Sequence, residues 1–242
     1  MLYLKFQSIA NKIFSMQNRT EQFLNDPVFP LLIRMSAPNT IAFFIQAIVV
    51  LAEVWFISKL GTTSLAAVAL AFPIIMLTQQ MAFGALGGAV SSSIARSLGA
   101  EDKERAEKLL WHSLLLSCCG YLLFFLVFFI GGESLLMALG GEGSLLEESL
   151  LYIKIFLTGA IFIWLSGTLS AALRGIGNMR FPALLMIVGS GIQVILAGGL
   201  ILGWFGLPKL GIIGAPLSAI SVAALMAIVM ILKFMHSSSN VQ

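Results

Sequence analysis

The chain alternates long apolar runs with short polar stretches. Six runs are long enough to cross a bilayer as helices, at approximately 31–58, 63–94, 109–131, 149–172, 182–205 and 211–234. A crossing helix needs about 20 apolar residues. Asn25 and Asp26 ahead of Pro27 read as a helix start before the first run. Residues 1–20 carry Phe6, Ile9, Ile13 and Phe14 at helical spacing, with Lys5, Lys12 and Arg19 elsewhere. That pattern predicts an interfacial helix, with an irregular tail as the alternative. Its apolar positions are too interrupted for a cleavable signal peptide. The expected organisation is an N-terminal cytoplasmic or interfacial segment (1–26), a six-helix transmembrane lobe (27–234) and a polar tail (235–242).

Composition sharpens this picture. The chain is 59% hydrophobic and 10% charged, where soluble domains carry about 25% charged residues. The reading is an all-α integral membrane protein partnered by the lipid bilayer. No basic run points to nucleic acid. With a cytoplasmic N-terminus, the inner side holds 11 of the Lys and Arg residues, and the outer side holds 3 (Lys59, Lys154 and Lys209). This bias predicts a multi-pass protein of the plasma (inner) membrane with both termini cytoplasmic.

The connections carry most of the charge. The stretch "GAEDKERAEK" (99–108) mixes both signs and is expected to cap or extend a helix as a solvated face. The stretch "GGESLLMALGGEGSLLEES" (131–149) has four glutamates and no Lys or Arg. It reads as an outer connection containing a small interfacial helix. Cys118 and Cys119 are adjacent, so they point about 100° apart on a helix and suit neither a disulfide nor a metal site. They read as small apolar filler. His112 beside Trp111 reads as interfacial. Within the spans there is no acid pair, no metal-ligand cluster and no Ser-His-Asp spacing, so no enzyme, metal or cofactor is expected.

Glu53 is the exception, a carboxylate within "FFIQAIVVLAEVWFISKLG" (43–61). Ionised at mid-helix, it would cost about 2.5–3.5 kcal/mol to insert. Such groups usually face a bundle interior or a wet cavity and serve a function. Asn39, Gln46 and Glu53 recur every seven residues, so they share one face over about 21 Å. Pro38 begins this stripe and marks a hinge. A bendable helix with one polar stripe fits a transport path. Glu53 could pass a proton across or, deprotonated, attract Na⁺ or a cationic substrate. The competing reading makes Glu53 an interfacial residue paired with Lys59, next to Trp55.

The chain resembles the N-terminal half of the multidrug and toxic compound extrusion (MATE) family. The resemblance rests on Pro38, Gln46 and Glu53, then "LGTTSLAAVALAFP" (60–73), "SSSIARSLGAEDKERA" (91–106), "ALRGIGNMRFP" (172–182) and "GIIGAPLSAIS" (211–221), in the family's order. It implies a secondary efflux antiporter of drugs or organic cations, driven by H⁺ or Na⁺, with a small cationic or amphipathic substrate. It also implies a cavity between two six-helix lobes. Glu53 stands where the family usually has Asp. Gln193 and Ala197 stand where many relatives have Asn and Asp, and Ser166, Gly167 and Ser170 stand near family asparagines. The implied site is then Glu53 with Gln46 and Gln193 as helpers, and Asn39 on the same stripe. This implies a branch with altered coupling or with none.

Two further readings follow from the residues. "ARSLGA" (95–100) and "LRGIGN" (173–178) look alike and suggest a faint three-helix repeat, with Arg96 and Arg174 anchoring the inner surface. The chain stops after its sixth helix. This favours a fragment or truncated product over a chain that pairs with a separately encoded second lobe or forms a homodimer. A non-transporting membrane subunit or scaffold stands as the alternative function. A lipid-linked oligosaccharide flippase of the same superfamily is another, disfavoured by the lack of a basic stripe.

Overall fold

A computed structural model describes residues 27–239. The expected interfacial segment at 1–26 therefore lies outside the described residues, as do Asn25 and Asp26. The elements are α1 (Val28–Ser58), α2 (Thr62–Gln79), a π-helical segment (Gln80–Leu86), α3 (Gly87–Gly99), α4 (Lys103–Ala138), α5 (Gly143–Gly175), α6 (Arg180–Leu202) and α7 (Gly214–Ser239). Two 3₁₀ turns, Trp204–Gly206 and Gly211–Ile213, lie between α6 and α7. The α2, π and α3 pieces form one rod, Thr62–Gly99, so six apolar rods are long enough to span a membrane. Helices satisfy their own backbone polar groups, which lipid cannot do.

α5 is the central mast. It packs against α2, α3, α4 and α7, while α6 lies between α1 and α7. Phe156, Leu157, Leu169 and Trp164 of α5 are fully buried. α1 contacts chiefly α6, with a smaller contact to α2. Its other faces expose Phe43, Phe44, Ile48 and Leu51, as suits a helix at the edge of a lobe in lipid. Pro38 sits inside α1 without ending it. Proline has no N–H, so the Arg34 carbonyl loses its donor four residues on. Ser36 Oγ donates to the Leu32 carbonyl at 2.8 Å, and Thr40 Oγ1 donates to that of Ser36 at 3.1 Å. Such back-bonding favours a bend.

The charged connection at 99–108 caps a helix as expected. Asp102 accepts a hydrogen bond from the Arg105 amide at 2.9 Å at the start of α4. Lys108 pairs with Glu104 at 2.6 Å one turn away, both exposed. Glu107, expected on the solvated face, is instead buried. It falls beside Ala106 on the side of α4 that packs onto α3 and α5.

The connection at 131–149 differs from the expectation. It holds no separate interfacial helix. α4 runs on through Ala138 and α5 starts at Gly143, so most of that stretch belongs to the ends of two long helices. α4 has 36 residues, about 54 Å at the helical rise. That exceeds a hydrocarbon core of about 30 Å, so α4 extends past it. At the other end of the chain, α7 remains helical through Ser239, five residues into the stretch read as a tail.

The two look-alike motifs adopt one turn, in a different register. Ala100, Glu101 and Asp102 donate their amides to Arg96, Leu98 and Ser97, respectively. Ile176, Gly177 and Asn178 donate theirs to Ala172, Arg174 and Leu173. The left-handed positions are Glu101 (φ 57°) and Gly177 (φ 83°). Asp102 and Asn178 then each accept from the amide three residues on. Arg174 therefore matches Leu98, not Arg96. The turns recur two spans apart, so they reflect shared helix-end chemistry and not a three-helix repeat.

Candidate functional site

The polar stripe of α1 faces α6, and each of its members meets a residue there. Asn39 Nδ2 lies 3.8 Å from Met179 Sδ, just before α6. Ser190 Oγ donates to Gln46 Oε1 at 3.1 Å. Gln193 Nε2 donates to Glu53 Oε1 at 2.9 Å. The partners ascend both helices in the same order, so α1 and α6 run parallel. From Asn39 to Glu53 is fourteen residues, and from Met179 to Gln193 is also fourteen. The seam is thus a ladder of polar rungs about 21 Å long.

Local sequence explains the α6 side. Ser190 and Gln193 are three residues apart and so share a helix face. The ladder uses a buried serine where the stripe alone pointed to Glu53 as the neighbour of Gln46. Gln46 and Glu53 do not bond each other.

Glu53 is half-buried, and Gln193 beside it is too. Lys59 does not provide its hydrogen bond. The Lys59 ammonium lies over the Trp55 ring, 5.0 Å from the centroid. Tyr152 of α5 is buried in the same core as Phe56 of α1, one turn from Glu53. Nothing in the apolar run around Tyr152 signalled this, because only helix packing brings α5 to that level. Ala197, one turn beyond Gln193, is completely buried. Ser166 turns back onto its own helix, donating to the Ile163 carbonyl at 3.0 Å. Gly167 packs against Ala82 and Phe83 of the π segment, away from the seam.

The remaining candidates have plain surroundings. His112 is exposed, with Nδ1 2.6 Å from the Lys108 carbonyl. Cys118 and Cys119 are exposed free thiols on α4. Among the described residues, no group of three or more His, Cys, Asp or Glu side chains could hold a metal. What the seam offers chemically is one carboxyl group held by an amide donor. It can take up a proton, or hold a small cation when ionised.

A family model described as MatE matches residues 38–198. The FAD transporter of Shewanella oneidensis is 31% identical over 200 residues, covering 81% of this chain and 43% of its own length. A probable multidrug resistance protein of Bacillus subtilis, YoeA, is 31% identical over 71% of this chain and 37% of its own. A solved MOP superfamily transporter from Pyrococcus furiosus superposes with a TM-score of 0.74 at 31% identity, covering 82% of this chain and 43% of its own. The chain thus spans less than half the length of these relatives.

Proposed function

This chain belongs to the MatE family, and on that premise we propose that its six-helix lobe forms one wall of a secondary efflux transporter in which Glu53 holds the coupling ion. The observation that carries the reading is the Gln193–Glu53 rung. It holds an intramembrane carboxyl group at the seam between an edge helix and the body of the lobe. The coupling ion is H⁺ or Na⁺, and the substrate is a small cationic or amphipathic molecule. A second six-helix lobe completes the cavity, because alternating access moves one bundle against another. The 11-to-3 charge bias supports a plasma-membrane orientation with both termini cytoplasmic. Pro38 gives α1 a hinge below the acid.

The test is efflux in everted vesicles under an imposed pH or Na⁺ gradient. Organic cations and FAD, the latter named for the Shewanella relative, form the substrate panel. Glu53→Gln keeps the size of the side chain and removes its titration, and it is expected to abolish coupled transport while leaving insertion intact. Glu53→Asp is expected to keep part of it. Normal coupled transport by Glu53→Gln defeats the proposal.

A further inference from the structure

We propose that the Trp204 indole is a lid that closes the Glu53 site toward the Lys59 end of the lobe and limits how fast water-borne reagents and ions reach the carboxyl group from that end. The polar rungs stop at Glu53 and Gln193, and aromatic rings close the seam beyond them. Phe56 lies one turn past Glu53 and is buried. Its ring meets the Trp204 indole edge to face, with centroids 5.4 Å apart and planes at 82°. Across the seam, Gly198 follows Ala197. A side chain at Gly198 would begin 3.0 Å from the indole and 3.2 Å from the Phe56 ring. The indole therefore rests on bare α6 backbone on one side and on an α1 ring on the other.

The chain around Trp204 holds it there. Gly203 ends α6 in the left-handed region, at φ 81°, so the chain doubles back at once. Leu207 then lies against Gly199, where a Cβ would come within 2.5 Å of it. The Leu210 amide donates to the Leu200 carbonyl at 2.7 Å. Between these contacts, Phe205 is held at φ 59°, a conformation that side chains of its bulk rarely adopt. An aromatic residue serving only as an interfacial anchor needs no bare glycine beneath its ring. A residue serving only as core filler would not stay 43% exposed, as Trp204 does. Trp204 combines the two, packed against Phe56 and over Gly198 and still partly exposed. Trp55 stands 6.3 Å from it on the same side.

The consequence for transport rests on the proposed role of Glu53, but the test does not. The probe is a water-soluble carbodiimide with an amine nucleophile, applied to the chain in detergent micelles. Modification is read by mass spectrometry at Glu53, with Glu133 as the reference carboxyl. Trp204→Ala is expected to raise the Glu53 rate roughly tenfold against Glu133, and Trp204→Phe, which keeps a ring, to stay within about twofold. Gly198→Ala keeps the indole but pushes it off the seam, and it is expected to raise the rate as well. It decides the matter if Trp204→Ala loses the fold. An unchanged Glu53 rate in either folded variant overturns the lid. If Glu53→Gln transports normally while Trp204→Ala still exposes Glu53, the lid stands and the ion-site reading falls.

Discussion

Gln193 donates its side-chain amide to Glu53 at 2.9 Å, and this bond ties α6 to the edge helix α1 at the level of the acid. α1 has few other partners in the lobe, since its main contact is α6. Movement of α1 relative to α6 must therefore break or exchange these rungs. A change in the state of Glu53 acts directly on the contact that holds its helix.

The rung should be measurable as a coupling energy. A hydrogen bond contributes about 0.5–1.5 kcal/mol between neutral groups and about 1.5–3 kcal/mol when one group is ionised. In a double-mutant cycle of Glu53→Ala and Gln193→Ala, read by thermal unfolding in detergent, the two losses are expected to be non-additive. Additive losses would show that the 2.9 Å contact does not link the helices energetically. Ser190→Ala, which removes the neutral rung to Gln46, is expected to cost less, about 0.5–1.5 kcal/mol.

Ala197, where the family resemblance implies an Asp, is completely buried here. Ala197→Asp is expected to lower the melting temperature and the yield in the membrane fraction. The insertion cost of a mid-helix Asp is about 2.5–3.5 kcal/mol. The double variant Gln193→Asn/Ala197→Asp installs the Asn and Asp that the resemblance implies and is expected to recover part of the loss. An Ala197→Asp variant that melts like the parent would show that water reaches this level of the seam.

Orientation can be read by cysteine labelling after Cys118 and Cys119 are replaced by Ser. A cysteine at Glu142, in the short link between α4 and α5, is expected to react with an impermeant reagent on intact cells. A cysteine at Lys103, at the start of α4, is expected to react only after permeabilisation. The reverse pattern would invert the proposed topology and place the Trp204 lid on the cytoplasmic side.

Hydrophobic run length alone determined that this chain has six spans, because crossing lipid demands a minimum apolar helix and a satisfied backbone. Seven-residue spacing alone placed Asn39, Gln46 and Glu53 on one face, because helical geometry is local. The charged stretch at 99–108 likewise announced a helix cap, which the structure places at Asp102. Tertiary structure decided the rest. It gave Gln46 to Ser190, and it brought Tyr152 into the core of Phe56 and Trp204 onto the Phe56 ring, one turn from Glu53. It also buried Glu107 and ran α4 and α5 through a stretch whose glycines suggested a loop. These outcomes depend on which helices pack together and at what height. That is set by side-chain volumes spread across the whole lobe, such as the bare backbone at Gly198 that admits an indole from a distant turn. No local pattern records it.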